Sequence, residues 1–578
     1  MAFKLPANTE ELLSWKWEDI EPGYLALETE ELTAENIADW LARWSRVSEC
    51  VDEIYSRRYT ATTVNTVDEQ AKAGYSYFLD NIYPKAMDCE QKLKVKLIRS
   101  ELEPEGFEIP LRNYRSDAAL FRAENLELLA TEFKYSTEYD EIVGAQTVIW
   151  DGRETTIAQL GPHLISPDRA TRQRAWEAQM ARIYADRDTI NTLWVKSLKL
   201  RMDIARNAGQ PDYRAYRWKQ YYRFDYTPAD CLSFHAAIEK VVVPAVKRLL
   251  KRHGEQMGID TVRPWDIDVK NYVDPLNRPA LAPFKTVDEQ VEVTRRIFHQ
   301  VDPVLGGYFN QMIESGLVDL PNRKNKGGGA YCQSLNLVRL PFVFCNSVGT
   351  HNDVQTLIHE SGHAFHVFES AHLPYFPQLA YTMEIAEVAS MGMELLASPY
   401  LERSQGGFYS PAEAARAVSE HLFTSLLFWP YMAVVDAFQH WVYTNTEKAM
   451  DPDQCDAEWG RQWDRFMQGY DWTGYEKYKV TGWHRKQHIH EVPFYYVEYG
   501  LAQLGAVQIW GNALKDQAKA VADYRHALSL AGTRPLPELF QAAGARLAFD
   551  AGTLQSAVDL MENQINRLEK VADSQEGG

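Results

Sequence analysis

Paired cysteines, positive charge and long apolar runs are what this sequence is short of. Its six cysteines (Cys50, Cys89, Cys231, Cys332, Cys345 and Cys455) include no CxxC pair. That spacing fits neither a zinc ribbon nor a disulfide framework, and a long chain needs no disulfide staples. Reduced thiols in a cytoplasmic protein are the expectation. Against 80 Asp and Glu stand only 61 Lys and Arg, a formal net charge of −19. Nucleic-acid partners require a clustered positive field, so none is expected. No apolar run approaches the roughly 18 residues of a membrane span. Residues 1–15 are polar where a signal peptide needs an apolar core, so neither a membrane nor an export route is expected. Low-complexity tracts and fixed-period repeats are also missing.

What is present is helical periodicity. Segments 36–55, 117–135, 167–207, 228–256 and 287–315 carry apolar residues at three- and four-residue spacing between charged faces. Pro167 and Pro228 stand where a helix's first turn tolerates proline. Alternating strand patterns are few, at 142–150, 330–337 and 340–346. The pattern predicts a mostly α protein with a small sheet beside its functional site. Composition shifts are mild, so a division into a helical N-terminal region, 1–200, and a catalytic region, 201–578, is only approximate, with lobes expected to be built from discontinuous segments. Residues 322–329 end in Gly327, Gly328 and Gly329 and read either as an exposed mobile turn or as a loop that moves over a ligand.

Chemistry concentrates in the segment from Asn352 to Ser370, with Asn352 or Asp353 placed to cap a helix. Val354, Leu357, Ile358, Ser361, Phe365 and Phe368 form one stripe, and at ~100° per residue His359 and His363 project from the opposite side. A lone histidine is usually a satisfied core residue. Two histidines one turn apart, off the stripe and followed by Glu360, fit a zinc ion better. Neutral imidazoles grip the metal, the metal acidifies a water, and the carboxylate takes the proton. Chance alone supplies such a motif in a few chains per hundred, so a third ligand must decide. Positions 366 and 369 hold His366 and Glu369 where a metzincin needs Gly and His. His366 lies ~10 Å along the axis from His359, too far to share the ion. A second helix offers Glu384, Glu387 and Glu394. Glu387 is favoured over Glu384 as ligand, with Glu394 placed to hold a histidine ring.

With His359-Glu360-Ser361-Gly362-His363-Ala364-Phe365-His366 followed by Glu387-Val388-Ala389-Ser390, the sequence resembles the oligoendopeptidase F branch of the thimet oligopeptidase family. The resemblance is good from about residue 200 to 570. It implies a large helical ellipsoid with a deep central channel that admits short unfolded peptides. It also implies one Zn2+ on His359, His363 and Glu387, with Glu360 as base. The stretch from His488 to Gly500 then resembles the family's substrate-contacting segment, which gives His488, Tyr499 and Tyr496 oxyanion-stabilising roles and Tyr495 a substrate contact. His490 competes with His488, because two histidines two apart leave the register open. Gly328 in the glycine loop, with Phe342 and Phe344 on the strand before the metal helix, becomes a further substrate contact. That strand, 340–346, is expected to be an edge on which a peptide backbone pairs. The function implied is cleavage of internal bonds in short peptides by a monomer or homodimer. A carboxypeptidase-like exopeptidase and a non-catalytic peptide binder are the alternatives, the latter disfavoured by the intact Glu360.

Overall fold

The computed structural model describes residues 4–268 and 272–574. The chain divides into two units, each assembled from three segments. Unit one comprises Met1–Ala119, Leu281–Ala414 and Gly505–Leu547; unit two comprises Leu120–Ala280, Ala415–Leu504 and Ala548–Gly578. The approximate boundary expected at residue 200 coincides with no segment end of either unit. That position lies inside the continuous helix Arg187–Asn207, where hydrogen-bonded backbone leaves no hinge.

The mostly α expectation holds, with breaks that periodicity could not see. The run 287–315 is two helices, Val287–Val301 and Pro303–Glu314, because extended Asp302 ends the first and caps the second. Segment 167–207 likewise breaks at Asp186. The helix Pro228–Gln256 stands as expected, opened by a reciprocal cap between Thr227 and Asp230. One helix, Pro411–Thr444, is long and apolar enough to cross a membrane by composition, but 72% of its apolar window is buried inside the protein.

Unit two holds a hairpin of β1 (Thr147–Trp150) and β2 (Arg153–Thr156). Residues 142–144, expected as strand, finish the helix Asn125–Gly144 instead. Unit one carries β3 (Val318–Pro321), β4 (Tyr331–Leu335) and β5 (Leu340–Ser347) in the order β3-β5-β4. β5 runs parallel to β3 and antiparallel to β4. The strand expected to be an edge is thus the central one, its backbone groups engaged on both sides. β3 and β4 are the edges.

The long helix Ile37–Val64 fixes this sheet. Glu53 Oε2 accepts from Leu337 N at 2.8 Å and Val338 N at 3.0 Å, Asp52 accepts from Asn336 Nδ2 at 2.7 Å, and Glu49 pairs with Arg339. The glycine loop is fixed too. Gly327 N donates to Thr63 O at 2.7 Å, and Asn346 Nδ2 donates to Gly327 O and Gly329 O at 2.8 and 2.9 Å. Lys326 extends beneath the loop to Cys345 O at 2.6 Å, its ammonium 4.5 Å from the Phe344 ring centre. These bonds oppose movement of 322–329, which both readings of the segment required.

Candidate metal centre

The histidine helix, His351–Ser370, starts two or three residues earlier than expected. Thr350 caps it, its hydroxyl accepting from Asp353 N. Asp353 Oδ2 gathers Val348 N, Gly349 N and Thr350 N at 2.8–2.9 Å. Those bonds lock the turn between β5 and the helix, which fixes how far the histidines stand from the sheet. The glutamate helix, Met383–Ala397, packs directly on this one. A Cβ built on Gly362 would lie 2.5 Å from Ala389 O and 2.6 Å from Ser390 Cα, so only glycine permits this approach. Tyr524 seals the far side by donating to Ala389 O at 2.7 Å.

That contact brings the expected ligands together. Glu387 Oε2 is 3.5 Å from His359 Nε2 and 3.9 Å from His363 Nε2. Ligand atoms of the three residues lie within 4.8 Å of one another. Glu394 Oε1 accepts from His359 Nδ1 at 2.5 Å, which leaves the Nε2 lone pair facing Glu387. His363 bonds the Ala386 carbonyl, which orients it in the same way. Ser390 Oγ donates to Glu387 Oε2 at 3.0 Å. From sequence Ser390 stood only as the end of the Glu387-Val388-Ala389-Ser390 motif; its spacing of three from Glu387 was the available signal. Glu384 is buried elsewhere on its helix and does not join the trio.

Electrostatics show that the cluster wants a cation. Burial pushes the Glu360 carboxyl up to about 7; the His359 charge opposes this, and Glu387 and Glu394 add to it. Burial alone would lower His359, but the bond to Glu394 and the charges of Glu394 and Glu387 carry it up to about 9. Burial, then the His359 charge, lowers His363. A buried carboxyl raised beside Glu387 and Glu394 sits where a positive charge would relieve it. Two imidazoles and one carboxylate on an open face suit zinc by donor type and number. His366 is not part of this set: fully buried, its ring stacks on Tyr381 with centres 3.7 Å apart.

A second trio, Cys231, Asp436 and His440 in unit two, has comparable spacing. Arg214 Nη1 lies 3.3 Å from His440 Nδ1. The guanidinium can only donate, so the ring's proton sits on Nε2, facing Asp436 Oδ2 at 3.3 Å. His235 Nε2 supplies Asp436 with another donor at 2.8 Å. The carboxylate is stabilised by N–H groups, and His440 turns no lone pair toward an ion.

The expected substrate contacts divide. Cys332 and Cys345 both feel the Glu360 charge, and burial first and that charge next raise their thiols, so their face of the sheet is the one toward the histidine helix. Phe342 and Phe344 alternate with Val343 and Cys345 and point from the opposite face. Phe344 is fully buried beneath Tyr331, ring centres 4.8 Å apart. That burial closes Phe344 to a substrate, whereas Phe342 keeps partial exposure. Gly328 stands clear, with no atom within 4 Å of a Cβ built on it.

Within unit two, His488, Tyr495, Tyr496 and Tyr499 form one cluster. His488 is 6.0, 5.0 and 6.0 Å from the rings of Tyr495, Tyr496 and Tyr499 respectively. The register question is answered by packing. His490 is buried, stacked on Tyr139 at 4.3 Å, and burial lowers it to about 3. His488 keeps partial exposure. The helix here begins at Tyr496. Phe494 adopts φ 67°, held by its N–H on Gln439 Oε1 at 2.7 Å and by Arg223 on its carbonyl at 2.6 Å. Arg223 also pairs with Glu498 at 2.5 Å, both buried. Burial raises the Tyr496 hydroxyl well above its ordinary value, so it remains a donor.

Residues 163–558 match the model of Peptidase family M3. The chain belongs to this family. Among solved structures, this M3 chain is similar to PZ peptidase A with a bound inhibitor, at 27% identity and a TM-score of 0.85, covering 98% of this chain and 99% of that one. It is likewise similar to a provisionally named oligoendopeptidase F, at 27% identity and a TM-score of 0.86, covering 96% and 98%. Oligopeptidase PepF of Bacillus subtilis (strain 168) is 34% identical over 102 residues, 17% of this chain and 15% of that relative's length.

Proposed function

We propose that this M3 chain is a zinc-dependent endopeptidase acting on internal bonds of short peptides. One observation carries the reading: His359 and His363 from one helix converge with Glu387 from the next, Glu360 follows His359 in the chain, and Glu394 bonds His359 Nδ1. PZ peptidase A, oligoendopeptidase F and Oligopeptidase PepF, the proteins it resembles, are named for peptide cleavage.

Zinc held by His359, His363 and Glu387 would supply Lewis acidity, acidifying water and polarising a peptide carbonyl. Glu360 accepts the proton that water loses and delivers it to the departing amine. Its partial burial suits that task, because a carboxylate removed from water has a basicity nearer neutrality. The family resemblance assigns His488, Tyr496 and Tyr499 hydrogen-bond donation to the oxygen on which charge develops. Peptide backbone pairs along the β4 edge, Tyr331–Leu335, which reads main chain and leaves sequence preference to pockets. The six unbridged cysteines fit the reducing cytoplasm, and the working form is a monomer or homodimer.

The test is an internally quenched peptide blocked at both ends, assayed with zinc-loaded protein and its Glu360→Gln variant. Cleavage of an internal bond by the parent is expected, with the variant slower by at least about a hundredfold. Equal rates would defeat the mechanism. Cleavage only after an end is unblocked would replace endopeptidase by exopeptidase.

A further inference from the structure

Tyr381 stands beside the metal residues of unit one, and the proposed chemistry leaves it unused. Its place follows from two successive contacts of the histidine helix. His363 bonds the Ala386 carbonyl. Three residues further, about 4.5 Å along the axis, the His366 ring stacks on Tyr381, two residues before the glutamate helix opens at Met383. The backbone here is fixed as well. A Cβ built on Gly532 would collide with the Ala380 carbonyl, so the residue before Tyr381 is pressed against a glycine that nothing larger replaces.

The tyrosine is clamped but not sealed. His366 is fully buried, and both its ring nitrogens lack hydrogen-bond partners. It therefore serves Tyr381 as a flat wall, with ring centres 3.7 Å apart and planes 12° from parallel. Tyr381 keeps partial exposure, and its hydroxyl reaches solvent without a hydrogen-bond partner among the described residues. Burial, then the Cys332 charge, raises that hydroxyl above its ordinary value, so it remains a donor. The same interaction relates Tyr381 to the sheet. Cys332 lies on β4, on the face turned toward the histidine helix. A peptide added to the β4 edge turns alternate residues to that face and leaves half its carbonyls pointing away from β4, in need of donors.

We propose that Tyr381 is a substrate-contacting residue: its hydroxyl donates a hydrogen bond to a carbonyl oxygen of the bound peptide, and His366 is the positioning residue that holds its ring. The proposal rests on the reading above that a peptide lies along β4. Every residue it needs belongs to unit one.

The experiment uses zinc-loaded protein with an end-blocked quenched peptide. Binding alone is read by fluorescence anisotropy of a labelled peptide on the Glu360→Gln background. Tyr381→Phe is expected to raise KM and the dissociation constant together by about three- to tenfold, the worth of one neutral hydrogen bond, while kcat stays within about twofold of the parent's. His366→Ala should weaken binding at least as much. His366→Phe, which restores a flat ring without nitrogens, should recover most of that loss. Zinc content and melting temperature are followed in every variant. An unchanged KM and dissociation constant in Tyr381→Phe would overturn the contact, as would a loss of zinc or of melting temperature that accounts for the change. Equal losses in His366→Ala and His366→Phe would overturn the positioning role. Expected anisotropy shifts from a parent that cleaves no peptide would overturn the peptidase reading and leave the contact standing.

Discussion

Glu394 Oε1 lies 2.5 Å from His359 Nδ1, so a carboxylate on the second helix sets the tautomer of a ligand on the first. A glutamine at 394 can still accept a hydrogen bond but no longer carries the charge that makes His359 a stronger donor to the metal. Glu394→Gln is expected to weaken zinc affinity by about 10- to 100-fold. Competition with a chelator of known affinity measures this. Unchanged affinity would mean that the contact does not tune the ligand.

Gly362 governs whether the two helices meet. A methyl group there would lie 2.5 Å from Ala389 O, against backbone that cannot swing aside. Gly362→Ala is expected to destabilise the protein by about 1–3 kcal/mol and to lower bound zinc, because it moves Glu387 away from His359 and His363. Melting temperature and metal analysis read the two effects. Retention of both would show that the helices have slack.

His488 and His490 separate function from packing. His490→Ala leaves a hole against Tyr139 and Trp194 and should cost about 2–4 kcal/mol of stability. His488→Ala, at a partly exposed ring, should melt near the parent while kcat falls by about a hundredfold and KM changes less. The reverse pattern would exchange their roles.

Asp52 gives a pH-dependent effect distant from any ligand. Burial raises its carboxyl to about 6; the Asn336 hydrogen bond opposes this, and Glu53 and Glu49 reinforce it. The folded state thus holds this proton more tightly than the unfolded chain, and stability falls as pH rises from the ordinary Asp value near 4 through about 6. Partial solvent contact trims the roughly 3 kcal/mol of such a shift to about 2 kcal/mol. Asp52→Asn keeps an acceptor for Asn336 and removes the charge. Its melting temperature should exceed the parent's at pH 7.5 and converge on it near pH 4. A difference that ignores pH would contradict this.

The local parts of the site were legible because they depend on helical spacing alone. His359, Glu360 and His363 need only 3.6 residues per turn, and Glu387 and Glu394 share a face for the same reason. Chain breaks such as Asp302 were not legible, since apolar periodicity runs through them and only the cap stops the helix. Strand order was equally hidden. An apolar run such as 340–346 reads the same at an edge or at the centre, and only β3, a four-residue strand that the sequence reading missed, makes β5 central.

By itself, then, the sequence determined a mostly helical protein, the His359-Glu360-His363 pattern of one helix and the family whose pattern it carries. Tertiary structure decided which glutamate reaches the histidines, because Gly362 sets the distance between helices that lie apart in sequence. It favoured His488 over His490, because burial against Tyr139 depends on a residue 351 positions away. It also turned Phe342 and Phe344 away from the metal helix, since which face of a strand meets the site is a property of packing and not of the strand.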